Sequence, residues 1–76
     1  MLFSLDRLPT DIPATVVQIG CKKELCARLK DFGLVPGTQV ISRYRSPDGG
    51  VIALEFRGTV LALRKRDLKG VRVKWE

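Results

Sequence analysis

Apolar and polar positions alternate along most of this chain, and one stretch breaks the alternation with a longer period. Residues 14–19 (ATVVQI) are β-branched and apolar between Pro13 and Gly20, which predicts a first strand. Residues 38–45 predict a second, with Val40, Ser42 and Tyr44 on one face and Gln39, Ile41, Arg43 and Arg45 on the other. Residues 51–56 predict a third, in which Ile52, Leu54 and Phe56 alternate against Val51, Ala53 and Glu55. Residues 59–63 predict a fourth, reached through Arg57-Gly58, a two-residue connection suited to a tight hairpin. Residues 64–68 read as a single helical turn, and Val71, Val73 and Trp75 alternate with Arg72 and Lys74 along a final strand. Leu5 and Leu8 fall in a polar lead-in that ends at Pro9.

The longer period lies in residues 22–32. Leu25, Leu29 and Phe32 recur at i, i+4 and i+7, one face of a 3.6-residue repeat, so this segment predicts a helix with that stripe packed on the sheet. About three turns of helix are marginal alone, and the stripe must supply the stability. Gly33 stands where the helix should end in a left-handed backbone, and Leu34 stands one residue beyond, where an apolar side chain folds back onto the helix. Pro36 and Gly37 then suit the second and third positions of a turn. Five short strands, one inserted helix and tight turns predict a mainly β protein, a small barrel whose closure removes exposed strand edges.

Seventy-six residues predict one domain spanning 1–76 with a thin core. No apolar run reaches the roughly 18 residues of a membrane span, and the apolar start at Met1 is cut short by Asp6 and Arg7, which predicts a cytoplasmic protein without a signal peptide. Fourteen Lys and Arg against eight Asp and Glu give a net charge of +6, which favours an anionic partner. The excess lies mostly from Arg57 onward, in Arg57, Arg64, Lys65, Arg66, Lys69, Arg72 and Lys74 against Asp67 and Glu76. A solvated surface that keeps a small protein soluble has the same composition.

Candidate chemistry is sparse. There is no histidine, which removes the commonest general base and metal ligand. The carboxylates are scattered, the serines have no base to activate them, and Asp48-Gly49-Gly50 lacks the Gly-Lys-Ser/Thr continuation of a phosphate loop. Cys21 and Cys26 lack the two further ligands of a zinc site, so they read as small buried thiols, kept reduced in a cytosolic chain. These observations exclude a recognisable catalytic, metal or cofactor site and leave binding functions. Nucleic acid is one candidate ligand, since small barrels carry oligonucleotides, but Tyr44 and Trp75 are the only rings besides phenylalanines and stacking wants several on one face.

Three segments resemble the FeoA family in order and spacing. They are Arg28-Leu29 with Phe32-Gly33-Leu34 and Pro36-Gly37-Thr38, the strand–loop–strand around Ser46-Pro47, and Leu61-Ala62-Leu63-Arg64 followed by Asp67-Leu68 and Val71-Arg72-Val73. The chain departs from the family pattern at Ile12-Pro13, where a glycine is frequent, and at Pro47-Asp48-Gly49-Gly50, where the loop reads differently. The same barrel resembles the C-terminal domain of metal-dependent iron repressors. The FeoA resemblance implies an SH3-like barrel of about five strands. It further implies a non-catalytic accessory protein of ferrous iron transport that binds the cytoplasmic part of a FeoB-like transporter, with no cofactor and no metal of its own. Such a protein would be cytoplasmic and would meet the inner membrane only through its partner. Leu25, Leu29, Phe32, Gly33, Leu34, Pro36 and Gly37 would then be structural. Arg43, Arg45, Arg64, Lys65 and Arg66 are the expected contact residues.

Overall fold

In the computed structural model, which describes residues 2–75, the alternating run Val51–Phe56 forms a strand that buries Ile52, Leu54 and Phe56. In chain order the strands are β1 (Phe3–Ser4), β2 (Pro13–Ile19), β3 (Gln39–Arg45), β4 (Val51–Phe56), β5 (Thr59–Arg64) and β6 (Val71–Lys74). The helix α1 covers Lys23–Asp31, and two 3-10 turns cover Leu5–Arg7 and Lys65–Asp67. The architecture is mainly β, as the sequence pattern predicts, with six strands among the described residues instead of five. The additional strand is β1. Two residues carry no readable alternation; it exists because Phe3 pairs with Val73 and Ser4 with Arg72.

All pairings between the strands are antiparallel, and the sheet order is β1-β6-β2-β3-β4-β5. The expected closure is not made: the ladder is open between β1 and β5. After two residues β1 turns into the 3-10 segment at Leu5–Arg7, so it is too short to run along β5. That same turn overturns the reading of the N-terminus as a polar lead-in. Leu5 and Leu8 are both fully buried, with the Leu8 N–H donating to the Leu5 carbonyl at 3.1 Å. Burial of each leucine stabilises the fold by about 1.5–3 kcal/mol, a large share for a chain this short.

Two β-bulges break the alternation. In β3 the register against β4 shifts between Ser42 and Tyr44, so Arg43 and Tyr44 both face outward and Tyr44 is 57% exposed instead of sharing the face of Val40 and Ser42. In β2 the register against β6 shifts between Val16 and Gln18, which leaves Val17 exposed and returns Ile19 to the core. A bulge adds one residue to one strand, so every later side chain changes face.

Helix α1 presents Leu29 fully to the core and Leu25 partly, but Phe32 is 46% exposed and does not complete the stripe. The helix ends at Asp31, and Phe32 is its cap residue, at the margin of the packed face. Gly33 takes φ +93°, its N–H donates to the Lys30 carbonyl and the Leu34 N–H to the Leu29 carbonyl, each at 2.9 Å. This is the six-to-one closure of a Schellman end, with buried Leu34 packed beneath it. The Pro36-Gly37 turn follows, closed by Thr38 N–H to Val35 O at 3.0 Å and tied to β2 by Gly37 N–H to Val16 O at 2.7 Å.

The ladder between β2 and β6 ends at a pair of glycines. The Gly20 N–H donates to the Gly70 carbonyl at 2.8 Å, and a Cβ placed on Gly70 would lie 1.5 Å from the Gly20 carbonyl oxygen. This backbone approach joins the end of β2 to the corner before β6.

The thiol reading of the cysteines is corrected. Cys21 and Cys26 are half-buried and joined by a disulfide, with Cα atoms 5.7 Å apart. The extended Lys22, at φ −60° and ψ 143°, folds Cys21 back over the first helical turn, which carries Cys26.

Candidate partner-binding groove

The basic residues of the last third are arranged by three local events. Strand β5 ends at Arg64, and Lys65 begins a 3-10 turn whose N–H is held by the Gly50 carbonyl at 2.9 Å. Leu68, fully buried, anchors the far side of that turn, so Lys65, Arg66 and Lys69 project from a fixed corner. Along β6, Val71 and Val73 face the core and Arg72 faces out. Pairing of β1 with β6 then brings the N-terminal residues alongside. Ser4 sits opposite Arg72, and its Oγ donates to the Lys69 carbonyl at 2.9 Å.

The result is an open groove of about 1020 Å³ between the two sheet edges, bounded by Phe3 and Ser4 of β1 on one side and Arg64 of β5 on the other. Six cations line it: Arg7, Arg64, Lys65, Arg66, Lys69 and Arg72. All six are exposed. Its one acidic lining residue, Asp6, is 7% exposed and is engaged by the Ser4 hydroxyl. None of the six cations makes an ion pair among the described residues.

Of the expected contact residues, Arg64, Lys65 and Arg66 line this groove, and Arg43 and Arg45 do not. Arg43 bridges Asp11 at 3.0 Å and Glu55 at 3.2 Å. Hydrogen bonding to Glu55, then to Asp11, raises its pKa above the usual arginine value. Arg45 is half-buried and donates to the Leu8 carbonyl at 2.6 Å, holding the N-terminal segment against β3. Both are fold-making residues. The bulge at Ser42/Tyr44 turns Arg45 away from the solvent face that strict alternation predicts. Arg7 is the groove cation that sequence reasoning passed over. It lies 57 residues from Arg64 in the chain, and the two are brought together by the pairing of β1 with β6 and the burial of Leu5 and Leu8.

Among the described residues no cluster of three or more His, Cys, Asp or Glu side chains is placed to hold a metal ion. A smaller hollow of about 380 Å³ lies beside the cysteine bridge, lined in part by Gly20, Cys21, Leu25 and Arg28, and it shares Arg66 with the groove. No helix among the described residues is long and apolar enough to cross a membrane.

The model of the FeoA domain matches residues 3–74. The chain belongs to the FeoA family. The solved FeoA protein from Chlorobium tepidum is 26% identical, with a TM-score of 0.92 over 96% of this chain and 70% of its own. Stenotrophomonas maltophilia FeoA, solved with zinc, is 28% identical, with a TM-score of 0.82 over 95% of this chain and 89% of its own. That protein is described as a prokaryotic SH3 domain protein and a candidate ferrous iron transport activating factor. The SH3-like character of the present FeoA fold agrees with this description. A manganese-dependent transcriptional repressor matches with a TM-score of 0.87 at 13% identity, over 99% of this chain and 42% of its own, which shows the shared fold alone. No curated protein sequence matches the chain at a significant level.

Proposed function

We propose that this FeoA-family protein is a non-catalytic accessory factor of ferrous iron transport that docks through its basic groove on the cytoplasmic part of a FeoB-like transporter and modulates it. The observation that carries this reading is the concentration of six unpaired cations in one groove, in a family with a member described as a candidate ferrous iron transport activator. A non-catalytic role accords with a chain that has no histidine. In this reading the protein is cytoplasmic, where the Cys21–Cys26 bridge would be open to reduction, and it reaches the inner membrane only through its partner. Arg64, Lys65 and Arg66 act as contact residues, while Arg43 and Arg45 brace the fold.

Nucleic acid would also be drawn to such charge, but the groove is poor in stacking surfaces. Of its lining residues only Phe3 is aromatic, and that ring already packs against Trp75, tilted by 35° with centroids 4.3 Å apart.

The test is retention of a detergent-solubilised FeoB-type transporter on the immobilised protein. Reversal of Arg64, Lys65 and Arg66 to Glu should weaken retention at least about tenfold at low salt, with the difference shrinking as salt rises. Equal retention by the variant and the parent would sink the reading.

A further inference from the structure

The groove has a second property besides its charge: it lies in the gap where the barrel fails to close. Its walls are the outer edge of β1 and the end of β5, and each of these strands is paired on one side only, β1 with β6 and β5 with β4. Successive residues along an antiparallel strand address opposite neighbours, so one of Phe3 and Ser4 directs its N–H and C=O away from β6. Of β5 only Arg64, its last residue, borders the groove. The gap therefore offers donors and acceptors from the main chain, cations from Arg64, Lys65, Arg66, Lys69 and Arg72, and apolar surface from Leu2, which is 48% exposed, and half-buried Phe3.

We propose that the groove takes an extended acidic peptide segment as an added strand along the free edge of β1, its carboxylates reaching the cations of the 3-10 turn and β6. Identification of the partner as a transporter rests on the function proposed above; the ligand chemistry rests on the groove. Three features select this occupant. Strand addition uses unpaired edge groups for affinity and alternate side-chain positions for specificity. Alternating side chains in the ligand would address the two faces of the sheet in turn, one carrying Arg72 and the other Phe3, which pairs with core-facing Val73. A nucleic-acid backbone presents phosphate acceptors and no matching donors, so it would satisfy edge N–H groups and leave the edge carbonyls unpaired. Basic edges also resist pairing with a second copy of this chain, because the like charges of two grooves would face each other.

The probe is a capped decapeptide of alternating Glu and Val, titrated into isotope-labelled full-length protein at low salt and followed by amide shifts and hydrogen exchange. Its comparison ligands are the same peptide N-methylated at every residue, which removes the donors of both strand edges, a Lys-Val counterpart and a ten-nucleotide oligothymidylate. The expected result is shift changes at Phe3, Ser4, Arg64 and Lys65 and slowed exchange at an edge amide of β1. N-methylation, which keeps every charge but removes strand donors, should weaken binding at least about tenfold. The Arg64→Glu/Lys65→Glu variant should weaken it by a similar factor while leaving the melting curve unchanged.

Equal binding of the methylated peptide would overturn strand addition and leave attraction by charge alone. No binding at millimolar peptide would also overturn it, as would tighter binding of the oligothymidylate to the same amides. The two proposals fail separately. Strand-like peptide binding without transporter retention keeps this inference and removes the function above. Groove-dependent transporter retention with indifference to methylation does the reverse.

Discussion

On the β3–β4 flank, Arg43 meets two carboxylates within 3.2 Å and Arg45 holds a backbone carbonyl, whereas six cations around the β1–β5 gap meet no acid partner among the described residues. The two regions carry the same chemical groups in one small molecule. On the flank the charges are answered internally, and their work is to tie Asp11, Leu8 and Glu55 to β3. At the gap they are held close together by a buried leucine, a backbone bond and a strand pairing, so their mutual repulsion is sustained by the fold. A surface that keeps like charges together without answering them is suited to an external anion. Basic residues therefore have to be sorted by their partners before they are counted as a binding surface.

The comparison breaks most severely if the corner carrying Lys65, Arg66 and Lys69 is displaced. Gly70→Ala puts a methyl group 1.5 Å from the Gly20 carbonyl oxygen, which no rotamer can relieve. It should cost more than about 4 kcal/mol, in the range reserved for severe core or backbone disruption. That is a large share of the roughly 4–11 kcal/mol expected of 76 residues, so the melt followed by circular dichroism should move down by roughly 15 °C or more. A folded variant with a parent-like melt would mean that the two backbones do not approach as described.

Next in size is the support under the other wall. Leu5→Ala removes a fully buried side chain beneath the β1 turn and should destabilise by about 2–5 kcal/mol. For a domain of this length that lowers the melting temperature by roughly 10–30 °C. A loss under about 1 kcal/mol would place Leu5 at the surface and return the N-terminus to a polar lead-in.

That prediction marks the boundary of what could be read from the chain. Gly33, Leu34, the Pro36-Gly37 turn and the Arg57-Gly58 hairpin are local events, each written in two or three adjacent residues, and the structure has Gly33 at φ +93° and Arg57 and Gly58 at φ 52° and 77°. Strands β4 and β5 were likewise legible because their ladder runs without a bulge from Phe56↔Thr59 to Val51↔Arg64. The burial of Leu5 and Leu8, the Gly20–Gly70 approach and the gathering of Arg7 with Arg64 depend on contacts between distant segments, for which no neighbouring residue carries a signal. The bulge in β3 hid the different fates of Arg43 and Arg45 for the same reason: an added residue changes the face of a side chain without changing the sequence pattern.

A gentler perturbation sharpens the contrast between the two basic regions. Arg43→Gln should lower the melting temperature slightly, because it removes two exposed ion pairs, and should leave partner retention unchanged. Reversal at Arg64, Lys65 and Arg66 should do the opposite, sparing the melt and losing the partner. If both variants behave alike in both measurements, the distinction between answered and unanswered charges does not hold in this protein.

The smallest expected effect lies in the loop that joins β3 to β4. The Ser46 hydroxyl, then the Gly50 N–H at 2.9 Å, hold the Asp48 carboxyl below its usual pKa. Since the folded value is the lower one, this contribution is present above the ordinary aspartate value of 3.8 and is lost as pH falls through the depressed folded value. The Gly50 amide shift should titrate with a midpoint below 3.8, and a midpoint at or above that value would show the hydrogen bonds to be absent in solution.

The position of β6 has a consequence in time. Of the six strands described it is synthesised last, yet it lies between β1 and β2, the first two. While a ribosome is still working through residues 20–70, β1 has no neighbour at all, and β2 has only β3. Leu5, Leu8 and Val16 must wait for Val71 and Val73 before their shared core can close. The nascent chain can assemble β3, β4 and β5 early, because those hairpins join near neighbours, but the contacts with β6 span most of its length and carry the greater loop-closure cost. The groove, which needs β1 seated on β6, is consequently the last part of the molecule to come into being. An anionic partner would meet its complete docking site only after β6 has emerged.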